Sequence, residues 1–288
     1  MMLQFVLLVL GVFCCSTAVI FIKLSDVHPF LLSAYRLLVA AILLAPVMIR
    51  DMRRDREAGV PLRIRNAVLP GVILGLHFIT WIMGARMTRA ANASLIVNLV
   101  PVVMPFLMFA LVRERITRRE LAGTMLALVG LAVLSGGDFS ISREYFRGDM
   151  LCLFSMLLFA IYLALGRRYR GGARLWAYVV PVYTIGGLFC LGAGAFLVNP
   201  FRSYDSGEIV WIFALAVIPT IMGHSILNHG MSTLRGQVVS VGGENVAVKV
   251  GAVGRTLAAL IEVDFDEDDY AGHYITTNGI RYHRAVHF

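Results

Sequence analysis

The side chains of this chain that could do chemistry are few, and most fall inside long apolar stretches. Arg36 is the seventh residue of a stretch that opens at Phe30. A guanidinium does not give up its charge, so Arg36 either lines a path that attracts anionic groups or snorkels to an interface. His77 and Trp81, four residues apart, share one helical face. The imidazole could carry a proton and the indole could wall a ligand pocket; a carbonyl-bonded core histidine and a packed tryptophan are the plain alternative. His224 and Asn228 repeat the same spacing further on, with His229 adjacent. Ser94, Asn98, Pro101 and Pro105 fall at i, i+4, i+7 and i+11, again on one face. Each proline removes an intrahelical bond and frees a carbonyl. That suits the lining of a wet cavity, or a kinked packing face with Asn98 bonded to a neighbouring helix. Tyr162, and Tyr178 with Tyr183, offer hydroxyls to a solute or to packing. Glu114 stands among arginines, and a surface ion pair with Arg113, Arg115 or Arg118 is its simplest role.

Other chemistries are missing their residues. Cys14, Cys15, Cys152 and Cys190 lie in apolar segments without metal-ligand spacing and read as small buried hydrophobes. The chain contains no G-x-S-x-G, H-E-x-x-H or Walker A motif, and no G-x-G-x-x-G between a strand and a helix. The apolar stretches hold no carboxylate pair and no nucleophile with its base. No catalytic residue, metal site or cofactor is expected, and the chain reads as a non-enzyme.

The elements that carry these residues follow from composition. The chain is 58% hydrophobic and 15% charged, with a mean hydropathy of +0.76, against roughly 25% charged residues in soluble domains. Bulk water is excluded as its main solvent. Eight segments approach spanning length: Leu3 to Ile22, Phe30 to Ile49, Ala67 to Gly84, Ala90 to Val112, Leu121 to Gly136, Met150 to Leu165, Trp176 to Val198 and Ile209 to Leu227. The fold class is therefore an all-α polytopic membrane protein. The first segment lacks the basic residues that open a signal peptide and reads as a retained helix.

Basic residues alternate between the connections. Those after the second, fourth and sixth segments carry Arg50, Arg53, Arg54, Arg56, Arg63 and Arg65; Arg113, Arg115, Arg118 and Arg119; and Arg167, Arg168, Arg170 and Arg174. The others carry Lys23, Arg86 with Arg89, Arg143 with Arg147, and Arg202. Short basic loops stay in the cytoplasm, so the N-terminus is expected there. The arginines then face anionic lipid of the bilayer, which explains the net charge of +8 without nucleic acid.

A shift of 144 residues lays Ala160, Ile161, Tyr162 and Arg167 on Ser16, Thr17, Ala18 and Lys23, and a shift of 145 or 146 lays His229 and Gly230 on Gly84 and Ala85. The common offset suggests a duplication of five helices. An odd number inverts the second copy, the plan of many secondary transporters. On His28-Pro29-Phe30 with Arg36, on Ala90 to Leu95 through Pro101 followed by Glu114 and Gly123, and on Gly148-Asp149, the chain resembles the drug/metabolite transporter superfamily, EamA type. The resemblance implies ten helices in two inverted five-helix repeats that move small metabolites across the inner membrane by alternating access, with the third, fourth, eighth and ninth helices around the cavity. It covers about residues 3 to 239. On that basis residues 1–137 form a first repeat, 147–262 a second, incomplete one, and 263–288 an acidic, polar tail. A small-molecule substrate (amino acid, organic anion or drug-like solute) is the expected partner, with proton coupling and a homodimer both compatible. A non-transporting membrane sensor or scaffold is the other class, for which only the tail could serve as a partner-binding part.

The pattern breaks near Ser240. Up to Val239 the chain has 22 basic and 11 acidic residues; from Ser240 onward it has 4 and 7. Where the resemblance implies a proline in a ninth helix, the chain reads Glu244-Asn245-Val246. Inserting the five acids between Asp264 and Asp269 would cost on the order of 12 kcal/mol, which excludes a tenth helix. The remainder shows neither helical nor strand periodicity. Either the tail is a genuine polar segment, or a reading-frame change near Ser240 to Lys249 replaced the last helices and left an inactive remnant. The frame change accounts better for the abrupt loss of the pattern.

Overall fold

The computed structural model describes residues 2–61, 64–135, 143–201, 203–233, 274–277 and 280–283. All eight apolar segments are helical. They form α1 (Met2–Ser16), α2 (Ala18–Leu24), α3 (Pro29–Glu57), α4 (Arg65–Met87), α5 (Ala90–Val97), α6 (Val100–Val112), α7 (Arg118–Ser135), α8 (Phe146–Tyr169), α9 (Leu175–Ala195), α10 (Ser206–Leu215), a π-helix (Ala216–His224) and α11 (Ser225–Thr233). Among the described residues six stretches are long and apolar enough to cross a membrane: Pro29–Glu57, Arg65–Met87, Ala90–Val112, Phe146–Tyr169, Leu175–Ala195 and Ser206–Met231. The chain is a multi-pass membrane protein.

Three of the eight segments are interrupted, each for a local reason. The first breaks at Thr17, where the Ser16 and Thr17 hydroxyls donate to the Val12 and Cys14 carbonyls at 2.9 and 2.8 Å. Such back-bonding bends helices. The fourth breaks at Asn98 and Leu99 because Pro101, in the first turn of α6, has no N–H to give the preceding turn. The eighth widens into the π-helix around Pro219, a form that is rare and concentrated at functional sites. Prolines also lie inside α3 (Pro46), α4 (Pro70) and α9 (Pro181).

Exposure is inverted relative to a soluble domain. Ile42, Phe106 and Leu126 are 71%, 73% and 75% exposed, whereas Arg36, Asp55, His77, Asn92, Asp149 and Asn228 are buried. Lipid-facing apolar surface around a polar interior is what a bilayer selects.

The helix pairs are related by exchange of the two halves. α3 packs along α9; α4 packs on α8, as α1 packs on the π-helix and α11; α4 also packs on α9, as the π-helix packs on α3. The closest crossings use one device twice. A Cβ on Gly84 of α4 would lie 2.8 Å from Cys152 Sγ and 3.0 Å from the Gly148 carbonyl, and one on Gly223 would lie 2.5 Å from Cys15 Sγ and 3.2 Å from the Gly11 carbonyl. In each pair a Gly-x-x-x-Cys ridge receives a glycine, the small-residue packing that membrane helices favour.

In the tail, Tyr274–Thr277 and Ile280–His283 pair antiparallel, with Tyr274 opposite His283 and Thr277 opposite Ile280. The sequence there shows no strand periodicity, but Asn278-Gly279 between two β-prone runs is a hairpin signal. Residues 234–273, with Glu244 and the acidic cluster, lie outside the described residues, as do residues 136–142 at the end of the expected first repeat.

The crossing at Gly148 is the tightest against backbone: an added Cβ would sit 2.6 Å from the Met87 carbonyl carbon and 2.8 Å from Thr88 N. Gly148→Ala therefore lowers stability by about 1–3 kcal/mol. It should appear as a lower melting temperature in detergent. Gly192→Ala, where a Cβ meets nothing within 4 Å, should leave the melting temperature unchanged.

Candidate functional site

The polar interior is organised by Arg36, about 10 Å along α3 from Pro29 at 1.5 Å per residue. The side chain does not reach an interface; its exposure is 0%. Nε donates to Thr220 Oγ1 at 3.0 Å, and Cζ lies 4.0 Å from the centre of the Phe78 ring, a cation–π distance. Nη1 and Nη2 are buried with no hydrogen-bond partner among the described residues. Thr220 Oγ1 in turn donates to the Leu215 carbonyl at 2.8 Å, five residues back, a reach that follows the wide π turn. Tyr183 Oη donates to the Thr220 carbonyl at 3.1 Å and lies 3.1 Å from Ser225 Oγ. Four elements, α3, α4, α9 and the π-helix, thus converge around one guanidinium.

Beside it lies an aromatic cluster. The His77 and His224 rings, from opposite halves of the chain, have centres 6.0 Å apart; Phe159 lies 4.9 Å from His77 and 5.2 Å from His224, and Phe78 lies 4.9 Å from His224. His77 Nδ1 is 3.0 Å from the Ser155 carbonyl and 2.8 Å from Ser155 Oγ, and that hydroxyl is 3.0 Å from the His77 carbonyl. One assignment satisfies all three groups: Nδ1–H donates to the Ser155 carbonyl and the serine hydroxyl donates to the His77 carbonyl. Asn228 Nδ2 donates to the His224 carbonyl at 2.7 Å and to Tyr162 Oη. His224 Nδ1 and Tyr178 Oη are buried without a hydrogen-bond partner among the described residues.

Six of the residues singled out from sequence, Arg36, His77, Tyr162, Tyr183, His224 and Asn228, therefore meet in one cluster. Trp81, the stripe of the fourth segment and Glu114 lie apart. Trp81 packs among Ile82, Ala85, Ile96 and Cys152 in a separate apolar cluster. Asn98 Nδ2 donates to the Ser94 carbonyl at 2.6 Å within its own turn. Pro101 is buried, while Ser94, Asn98 and Pro105 are half-buried; the buried ridge here runs Asn92, Ile96, Val100, Met104 and Met108. Glu114 pairs across the halves with Arg167 at 3.3 Å, a partner further along the chain than the neighbouring arginines expected for it. Arg113, in the left-handed conformation (φ 58°), ends α6 just before it. Thr220, Ser155, Phe78 and Phe159 complete the cluster, and no spacing or motif marks them in the sequence.

Polar belts close both ends of the bundle. At one, Arg174 Nε pairs with Asp55 at 3.3 Å, the Arg174 and Trp176 backbone N–H groups donate to Asp55 and Asp51, and Arg167 donates to the Met231 carbonyl at 2.5 Å. The connections after the second, fourth and sixth segments thus share one face. At the other, Lys23 Nζ donates to the Thr88 carbonyl at 2.9 Å, Thr88 Oγ1 donates to Asp149 Oδ1 at 2.6 Å, and Asn92 Nδ2 lies 3.3 Å from the same oxygen. Lys23 on Thr88 and Arg167 on Met231 are one contact made twice, 144 and 143 residues apart. At this second end burial, and then the charge of Arg86, hold the His28 imidazole below its ordinary pKa.

Residues 2–136 match the EamA-like transporter family. An uncharacterized transporter of Archaeoglobus fulgidus is 32% identical over 155 residues, which is 52% of this chain and 52% of that protein. One from Methanothermobacter thermautotrophicus is 30% identical over 135 residues, 41% of this chain and 38% of that protein. The chain spans about half the length of the curated relatives it matches. A structure described only as the crystal structure of a protein shares the fold, with a TM-score of 0.69 at 18% identity over 89% of this chain and 88% of that one.

The Asp149 belt yields a stability test. Asp149→Leu leaves the buried donors of Thr88 and Asn92 without their acceptor, a loss of about 1–3 kcal/mol per group. The melting temperature in detergent should fall by several degrees. The double variant Thr88→Val/Asp149→Leu should regain part of that loss, as coupled partners do.

Proposed function

We propose that this chain is a permease of the drug/metabolite transporter type that carries a small metabolite across the inner membrane by alternating access, with its N-terminus in the cytoplasm. The observation that carries this reading is the Arg36 cluster: a buried cation and two imidazoles, drawn from both halves of the chain and ringed by aromatic side chains. Such a grouping is costly in a bilayer and is retained where it serves a solute or ion path. The duplicated contacts support two repeats that rock about the cluster. In one state the Asp55, Glu114 and Arg167 belt closes the basic face; in the other the Lys23, Thr88 and Asp149 belt closes the opposite face. Among the described residues no carboxylate bonds the central cation, so the site suits binding and release rather than bond-making. The same groups, His77 and His224, are the candidates for coupling flux to a proton gradient.

Flux in proteoliposomes tests the coupling. An inward proton gradient should accelerate solute movement in the wild type and have little effect in a His77→Ala/His224→Ala double variant. Wild-type flux that ignores the gradient, or coupling that survives in the double variant, would remove the proton. Orientation is read separately with a membrane-impermeant maleimide on intact cells. Cysteine at Phe201, which is 91% exposed beyond α9, should label, whereas cysteine at exposed Arg54 should label only after lysis. The reverse pattern would invert the topology.

A further inference from the structure

The guanidinium of Arg36 narrows what such a permease would carry. Of its N–H groups, Nε–H is used by Thr220 Oγ1 at 3.0 Å, while Nη1 and Nη2 are buried without a hydrogen-bond partner among the described residues. The plane of the group is fixed from two sides: Thr220 Oγ1 is held by the Leu215 carbonyl through the π turn, and the Phe78 ring covers one face at 4.0 Å. What remains are the N–H groups of Nη1 and Nη2, and one from each forms at the outer edge a rigid fork that matches the two oxygens of a carboxylate. The acidic groups that interact with Arg36 are the thiols of Cys15 and Cys190 and the phenol of Tyr183. None of these is a carboxylate, so among the described residues the cation lacks the partner that a buried charge normally has. Phe78, which faces the guanidinium, is continuous with an aromatic cluster of Phe159, His77 and His224.

We infer that the site takes a small monocarboxylate, bound through both oxygens to Nη1 and Nη2, with its apolar or flat remainder along the Phe78 and Phe159 rings. This rests on the permease reading above and specifies its substrate class. One fork accommodates one carboxylate, and a second charge on the solute would face neutral aromatic walls. His224 Nδ1 supplies one further polar contact.

The test uses the full chain in lipid nanodiscs and a defined panel: benzoate and 4-methylpentanoate, their amides, benzylamine and succinate. Calorimetry should show the two monocarboxylates binding at least tenfold tighter than the other four. Arg36→Lys, which keeps the charge but loses the fork, should weaken benzoate at least tenfold, and Arg36→Met should abolish its binding. Should both variants fail to fold, Thr220→Val keeps the guanidinium but frees its plane, and benzoate should weaken several-fold. The inference is overturned if the amides or benzylamine bind as well as benzoate, if the Arg36 and Thr220 variants bind benzoate like the wild type, or if no panel member binds. Counterflow of the same panel in proteoliposomes separates the two claims. Flux of amides or benzylamine without the acids sinks the carboxylate and leaves the permease. Arg36-dependent benzoate binding without flux of any panel member leaves the carboxylate and sinks the permease.

Discussion

A guanidinium that keeps its charge is buried among membrane helices, and the architecture around it is arranged to hold that charge in place. Insertion scales put an arginine at a helix centre at about 2.5–3.5 kcal/mol, so Arg36 needs compensating contacts from the rest of the bundle. The Thr220 hydroxyl and the Phe78 ring provide two of them. Thr220 can do so only because the helix around Pro219 widens into a π turn and lets its hydroxyl reach the Leu215 carbonyl. Tyr183 then ties that turn to α9. The irregular backbone, the buried hydroxyls and the charge form a single unit, and weakening any one exposes the desolvation cost of the others.

The crossings that frame this unit are made of small residues. Gly84 against Cys152 and Gly148, and Gly223 against Cys15 and Gly11, bring helix backbones into contact with little side chain between them. Small residues at these crossings let the backbones approach closely, as in other membrane helix pairs. The polar belts differ in kind. Their bonds are specific and charge-assisted, so each end is suited to two discrete arrangements, made or broken, rather than to graded sliding.

Much of this architecture is legible in the amino-acid sequence. Among the described residues apolar runs of spanning length locate every helix of the membrane part, and helical spacing alone puts His77 on α4 and His224 with Asn228 on the eighth segment. The alternation of arginines corresponds to one basic face of the bundle. What is not legible is what depends on non-local packing. Nothing around Thr220 marks it as the partner of Arg36, 184 residues away, because a threonine in an apolar run reads as a tolerated small residue. Ser155 is equally silent. Local charges dominate the reading of Glu114, and its pairing with Arg167 across the bundle is not marked there. The proline stripe of the fourth segment has the spacing of one continuous face, but Pro101 breaks the helix and turns much of that face away from the cluster. In the tail the local signal is Asn278-Gly279, a turn dipeptide that tests of periodicity do not register.

The central claim is that Arg36 is held open for a solute carboxylate rather than serving as a structural ion. The most direct measurement is an experimental structure of the protein in lipid with benzoate bound. The account predicts ligand density in the plane of the guanidinium, two oxygens at hydrogen-bond distance from Nη1 and Nη2, with Nε still on Thr220. A guanidinium paired with a carboxylate of the chain itself, with benzoate bound elsewhere or absent, would contradict it.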